Sequence, residues 1–485
     1  SFEYDEAAEA FIKAQQAEPD FAMSYWGEAM TYNHPLWYQE DLDKARAALD
    51  KLAPTAQARL AKAPTEREKG YLRAVEALYG EGEKKARDLA YLEAMRELST
   101  QFPDDLEAKA FYALAILGSS DRNREIPVYM RAASVAEEIY EKNKNHPGAL
   151  HYLIHSYDDP IHAPLGLRAA RLYSKVAPAA AHALHMPSHI FVALGMWSEV
   201  AELNERSWQA SLDRAARKGL GKAARSYHAI WWLQYAYLQQ GRVEAARKLL
   251  AIVEQDESES HSRSTRYHLA NMRAHDLIET EQWHSPSAKI QVETGDQRIG
   301  VDFINLFTTG FVSYKTGDLT NAKQILATMH EKSSAELAGV STDEMGVLTA
   351  MPDSEVLAQL RPDQKAAIVM QQELAAVILL AEGQQEKALA VLEGATTIEE
   401  NMSFMFGPPA IVKPSHELLG EIYLEQGKYE QAIAMFEAAM KRAPKRALSL
   451  SGLAKAQHGA GQHARAEATN TLLMRIRQHA DAGTN

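Results

Sequence analysis

Near its end the chain reads Gly420-Glu-Ile-Tyr423-Leu-Glu-Gln-Gly427-Lys-Tyr429-Glu-Gln-Ala432-Ile-Ala-Met-Phe436-Glu-Ala-Ala439-Met-Lys-Arg-Ala-Pro444. Small residues at 420, 432 and 439 suit places where two helices touch. Tyr423, Tyr429 and Phe436 are aromatic fillers between them, Gly427 suits the turn, and Pro444 stops the second helix. These offsets match a helix–turn–helix unit that repeats about every 34 residues. A further unit follows in phase, carrying Leu453, Ala454, Gly461 and Ala466.

Working outward, a turn Gly followed by a small residue five on and a large apolar one nine on recurs as Gly383/Ala388/Leu392, Gly317/Ala322/Leu326 and Gly241/Ala246/Leu250. At the other end Ala7, Phe11, Ala14 and Pro19 read as the second helix of a unit without its first, so a truncation or processing site is expected there. Few stretches alternate apolar and polar residues, and β-branched runs are rare, so strands are not expected. The prediction is an all-α chain, an α-solenoid of antiparallel helix pairs. Residues 285–298 and 332–364 break the rhythm with turn formers and read as loops. A boundary near 290 divides an N-terminal array, 1–290, from a C-terminal array, 291–485.

Composition narrows the function. The formal charge is −13, with acids and bases interleaved rather than gathered in blocks, which argues against a surface that tracks phosphates, so no nucleic-acid partner is expected. No uninterrupted apolar run approaches the roughly 20 residues a bilayer needs, so no membrane span is expected. There is no Cys, which removes disulfides, thiolate metal sites and a Cys nucleophile, and leaves nitrogen and oxygen as metal ligands. Absence of Cys fits an oxidising compartment, and an exported or periplasmic location is favoured over a cytoplasmic one.

Histidine is distributed unevenly. Seven of the 18, His146, His151, His155, His162, His182, His185 and His189, fall between 146 and 189. His151, His155 and Asp158 are spaced i, i+4, i+7 and share a helical stripe; His182, His185 and His189 are spaced i, i+3, i+7, with Pro187 marking where a helix begins. His151 and His182 lie 31 residues apart, and His155 and His189 lie 34 apart, which is one repeat. The stripes should therefore occupy equivalent first helices facing one concave groove, with an outer helix over about 165–176 between them. Up to five imidazoles and a carboxylate suit Zn(II), Cu(II), Fe(II), Mn(II) or Ni(II), not Ca(II) or Mg(II), and the expected cofactor is a Zn, Cu or Fe ion. The predicted metal ligands are His151, His155, His182, His185 and His189. Asp158, His34, His162, His228 and Glu28 are possible additions: His34 as an alternative to a helix cap, and His228 because it opens the next first helix. Lys413 and Glu417 either line the groove or merely start a helix.

The repeat unit identifies the chain as resembling the tetratricopeptide-repeat family. The block His151-Tyr-Leu-Ile-His155 with His182-Ala-Leu-His185-Met-Pro-Ser-His189 further resembles a group of bacterial proteins of that kind without an assigned activity, many of them exported. The likeness extends to Tyr25-Trp26-Gly27-Glu28-Ala29-Met30, His34-Pro-Leu-Trp37 and Gly407-Pro-Pro409. It implies the fold and a special histidine region and supplies no substrate. Where similar proteins place Glu after the first His pair, this chain has the shorter Asp158.

The leading expectation is a metal site on the concave face serving a hydrolytic or oxidative enzyme that acts on a small or peptidic substrate. The rivals are an adaptor that holds a protein partner or peptide without chemistry, and a metal storage or delivery protein.

Overall fold

A computed structural model describes residues 3–120, 124–337 and 339–482. The chain is all-α, as expected, and divides into two compact units: Ser1–Asp158 with His162–Pro187, and Asp159–Ile161 with Ser188–Asn485. The boundary expected near 290 falls inside the second unit, on the turn Pro286–Lys289. The two stretches expected as loops are mostly that. The exceptions are the 3-10 turn Pro286–Lys289, the helix Leu319–Glu336, which runs a little further than expected, the short helix Ser354–Gln359 and the start of the helix Pro362–Ala381.

In the second unit the turns explain the repeat. Gly195, Gly241, Gly317, Gly383, Gly427 and Gly461 all have positive φ, between 60° and 85°. This left-handed geometry closes each first helix and costs a residue with a Cβ about 1 kcal/mol more than Gly. The residue after each Gly donates its N–H to the carbonyl five positions back, as in Arg242 to Tyr237 (2.9 Å), Gln384 to Leu379 (2.9 Å) and Lys428 to Tyr423 (2.9 Å). The chain reverses and the second helix begins at once. Ala246, Ala322, Ala388 and Ala432 are then sealed in the crossing of the pair, with Leu250, Leu326, Leu392 and Phe436 one turn further on. First helices of successive pairs pack side by side, Tyr227–Gln239 on Arg263–Thr280 and Ser415–Glu425 on Ala447–Gly459, which is the solenoid order.

In the first unit, Leu106–Ser119 packs on Pro147–Ser156 in the same way. Its core gathers around Trp26, set edge-on to both Tyr71 and Phe111 at 5.1 Å. Among its described residues, strand structure is confined to a two-residue antiparallel pairing, Asn33–His34 with Gln39–Glu40.

Among the described residues one helix, Pro362–Ala381, is long and apolar enough to cross a bilayer by length and composition, yet most of it is buried inside the second unit. It carries Gln371 and Gln372, which donate to the Gly346 carbonyl at 2.8 and 2.9 Å.

Candidate metal centre

The helix Pro147–Ser156 starts in a way its sequence dictates. Pro147 occupies the first turn, where no N–H is needed, and His146 caps it, its Nδ1 accepting from the Ala149 N–H at 3.2 Å. One turn apart on this helix, His151 and His155 are both buried, and their Nε2 atoms lie 3.1 Å from each other. The helix Ala163–Val176 follows where the outer helix was expected and sends Tyr173 back onto His151, rings stacked with centroids 5.1 Å apart. The short helix Ala181–His185 then returns His182, whose Nε2 is 3.2 Å from that of His151. The three ligand nitrogens all lie within 4.8 Å of one another.

The donor chemistry fits a transition ion. A neutral imidazole Nε2 offers either one N–H or one lone pair. Nε2 of His151 therefore cannot make full hydrogen bonds to both other Nε2 atoms. Two nitrogens bound to one tetrahedral ion at about 2.0–2.1 Å stand about 3.3 Å apart, close to the two distances observed. His151 is the shared member, and His155 and His182 flank it.

Several expected ligands lie elsewhere. Asp158 is buried but stands outside the three-histidine set, because the helix stops at Ser156 and the i+7 position is no longer on its face. Arg124 fixes that stop by donating to the carbonyls of His155 (3.1 Å) and Ser156 (2.8 Å), the last ones the helix leaves open. Glu28 is committed to Lys51 and Gln15, each at 2.6 Å. The Nε2 of His34 contacts the Thr31 carbonyl at 3.1 Å, just beyond the helix Ala22–Met30, which is the capping role weighed against ligation. Its ring stacks on Tyr4 at 3.9 Å and lies 6.4 Å from Trp37, which in turn lies 5.7 Å from His182. His162 is half-buried ahead of Ala163–Val176 and stands outside this set, and His185 is buried at the end of its short helix.

In the second unit, buried His189 and exposed His228 approach with ring centroids 6.4 Å apart, both against Trp232 at 4.5 and 5.3 Å. Phe406 covers His189 at 6.1 Å, and the loop beyond it comes so close that a Cβ on Gly407 would lie 2.2 Å from the Trp232 ring. Lys413 and Glu417 do not line a groove. They form a wholly buried ion pair at 3.1 Å, a role their place at a helix start does not announce. Tyr173, Trp37 and Arg124 were not foreseen either. Each reaches the histidines from a separate element, so no spacing rule could have found them.

Residues 423–482 match the family model for the tetratricopeptide repeat. No curated protein matches the chain. Solved structures that match include the human IFIT1 dimer with m7Gppp-AAAA, 12% identical over 99% of this chain and 96% of that one, with a TM-score of 0.40. Yeast Tom70 is 11% identical over 98% of this chain and 88% of its own, with a TM-score of 0.31. The P58(IPK) TPR domain is 14% identical over 95% and 94%, with a TM-score of 0.22.

Proposed function

We propose that this tetratricopeptide-repeat protein holds a first-row transition ion, Zn(II) foremost with Cu(II) and Fe(II) as the other candidates, on the Nε2 atoms of His151, His155 and His182. The observation that carries the reading is the double contact of one Nε2 with two others, which hydrogen bonding alone cannot satisfy and which an ion satisfies at once. Three protein nitrogens would leave a coordination position open, and an ion so held would polarise a carbonyl or lower the pKa of a coordinated water toward about 7. The chain's own part is to hold the imidazoles still. Tyr173 and Tyr152 both stack against the His151 ring, at 5.1 and 5.8 Å, and Arg124 locks the end of the helix that carries His151 and His155. A hydrolytic enzyme for a small or peptidic substrate is the activity this supports best, ahead of an oxidative one.

The test is calorimetric titration of Zn(II) into the tag-free, chelator-stripped full chain. About one equivalent should bind below about 1 μM, and at a hundredfold excess over Kd should stabilise the fold by about 2.7 kcal/mol. His151→Ala should weaken binding at least about 100-fold, a loss of roughly 2.7 kcal/mol or more. Uptake below about a tenth of an equivalent, unchanged by the substitution, would reject the site.

The match over 423–482 favours a second reading, an adaptor whose C-terminal repeats hold a protein partner or peptide. That reading survives a failed metal titration. Metal storage or delivery shares the ligands and differs in showing no turnover.

A further inference from the structure

The helix Pro362–Ala381 carries Gln371, Gln372 and Glu373 side by side into the core of the second unit. The two glutamines each donate to the Gly346 carbonyl. Glu373 has no exposed surface, and neither of its carboxyl oxygens has a hydrogen-bond partner among the described residues. A carboxylate buried in this way is costly, and the group avoids the cost by keeping its proton.

Its surroundings favour the same state. The charges that act on it are Glu399 from the helix Gln385–Glu400, Glu417 from Ser415–Glu425, and Lys413 from the loop between them. Burial alone would raise both of these carboxyls, but Arg446 and Lys413 hold Glu417 down, and His416 and Ser415 hold Glu399 down, so both are ionised. Lys413 is already committed to Glu417 at 3.1 Å and to Glu421. Burial, reinforced by the two carboxylates, accordingly lifts the Glu373 pKa well above the usual carboxylate range. The helices Ile299–Lys315 and Leu319–Glu336 also pack on Pro362–Ala381, but their charges are engaged elsewhere: Asp302 with Lys332 at 2.8 Å, Lys323 with Glu382 at 2.5 Å, and Lys315 over the Phe311 ring at 5.5 Å. In the loop that the glutamines hold, Asp343 pairs with Lys387 at 3.6 Å, and Glu331, Glu336 and Glu344 are exposed. On its own helix the other charged residues, Lys365 and Asp363, lie more than two turns back.

We propose that Glu373 is a proton-operated latch in the second unit: protonated, it lets Pro362–Ala381 close on Gln385–Glu400 and Ser415–Glu425, and on giving its proton to water it repels Glu399 and Glu417 and parts these helices. The inference is independent of the metal reading, whose ligands lie in the first unit. In an opened state Glu373 titrates near about 4.3, below its value when closed. Above about pH 4.3 the closed state therefore binds the extra proton. Closure is complete below that pH and weakens by up to about tenfold per pH unit as pH rises toward the closed-state value.

Amide hydrogen exchange of the full chain reads such openings. Between about pH 5.5 and about pH 7.5, after correction for intrinsic exchange, wild-type protection in Pro362–Ala381 and Ser415–Glu425 should fall at least about tenfold relative to Leu106–Ser119 of the first unit. Glu373→Gln keeps the shape and cannot ionise, and its fall should be less than about threefold. Should that variant fold poorly, Glu373→Met removes both oxygens and should respond as weakly. It should also unfold at higher urea than the wild type at about pH 7.5, because an apolar group in place of an unpaired buried polar one escapes the desolvation cost. His416, paired with Glu400 at 2.9 Å, is present in all three chains, so its own titration cancels from the comparison. An unchanged wild-type ratio, or a fall of equal size in either variant, overturns the proposal.

Discussion

His275 sits in the second unit with no exposed surface, stacked on Trp231 at 6.1 Å and edge-on to Tyr235 at 5.0 Å, and neither ring nitrogen has a hydrogen-bond partner. Burial, helped by the Arg446 guanidinium, pushes its pKa down to about 3. An unfolded His titrates near about 6.5. Between those values the unfolded chain binds the extra proton, so stability is complete above about 6.5 and drains away as pH falls toward 3. His275→Phe keeps the packing and removes the titration. In urea unfolding, the wild type should lose about 2 kcal/mol more than this variant between pH 7 and pH 5, and parallel losses would refute the burial argument. At this same scale part of the three-histidine set is legible in the sequence. Spacing i, i+4 puts His151 and His155 together, and one repeat later brings His182 to them. It misled at Asp158, because nothing in the residues themselves says that Arg124 would end the helix two positions earlier.

Among elements, the glycine turns are where local sequence and structure agree most closely. A Cβ on Gly383 would touch nothing within 4 Å, so only its φ of +80° resists substitution. Gly383→Ala should therefore cost about 1 kcal/mol, all of it backbone strain. Gly452 has ordinary helical geometry, but a Cβ there would lie 2.3 Å from the Phe436 ring in the crossing of two helices. Gly452→Ala should cost more, roughly 2 kcal/mol, by overpacking. Equilibrium denaturation of the two variants checks the order, and Gly383→Ala as the costlier change would contradict it. Repeats were legible because a left-handed turn demands Gly and a tight crossing demands Ala, each requirement local to a few residues. The helix Pro362–Ala381 was harder to read. Its apolarity resembles a span, and only the packing of other elements around it explains why Gln371 and Gln372 are tolerated inside.

Across the molecule, contacts between residues far apart in sequence tie the last repeats of the second unit to its earlier helices. Arg446 is completely buried and donates to Glu279 at 2.5 Å, to both oxygens of Glu417 at 2.8 and 3.2 Å, and to Tyr235 at 3.3 Å. Glu417 also accepts from Lys413 and from Ser449, and Lys413 pairs again with Glu421. Beside this network the Ala447 N–H donates to the Gln239 side chain at 2.8 Å, and the Trp197 indole donates to the Lys445 carbonyl at 3.1 Å. The bonds from Arg446 to Glu279 and Tyr235, from Ala447 to Gln239 and from Trp197 to Lys445 are invisible in a repeat pattern, which records neighbours along the chain and not partners more than 160 positions away. Burial alone would raise the Glu417 carboxyl, but Arg446 and Lys413 hold it down at about 2, so it is ionised in the folded state. Removing the guanidinium leaves Glu279 and Glu417 buried with too little positive charge. Arg446→Met should then cost about 3–5 kcal/mol, far more than the pair's net contribution, because an uncompensated buried charge is what remains. The carboxyls in that variant escape by taking up protons, their folded pKa values rising above the unfolded ones. Their penalty is therefore present above about pH 4.3 and relieved as pH falls toward it. The Arg446→Met deficit should be larger at pH 8 than at pH 5, and adding Glu279→Gln should recover part of it at pH 8. A deficit independent of pH would mean that the arginine acts through packing alone.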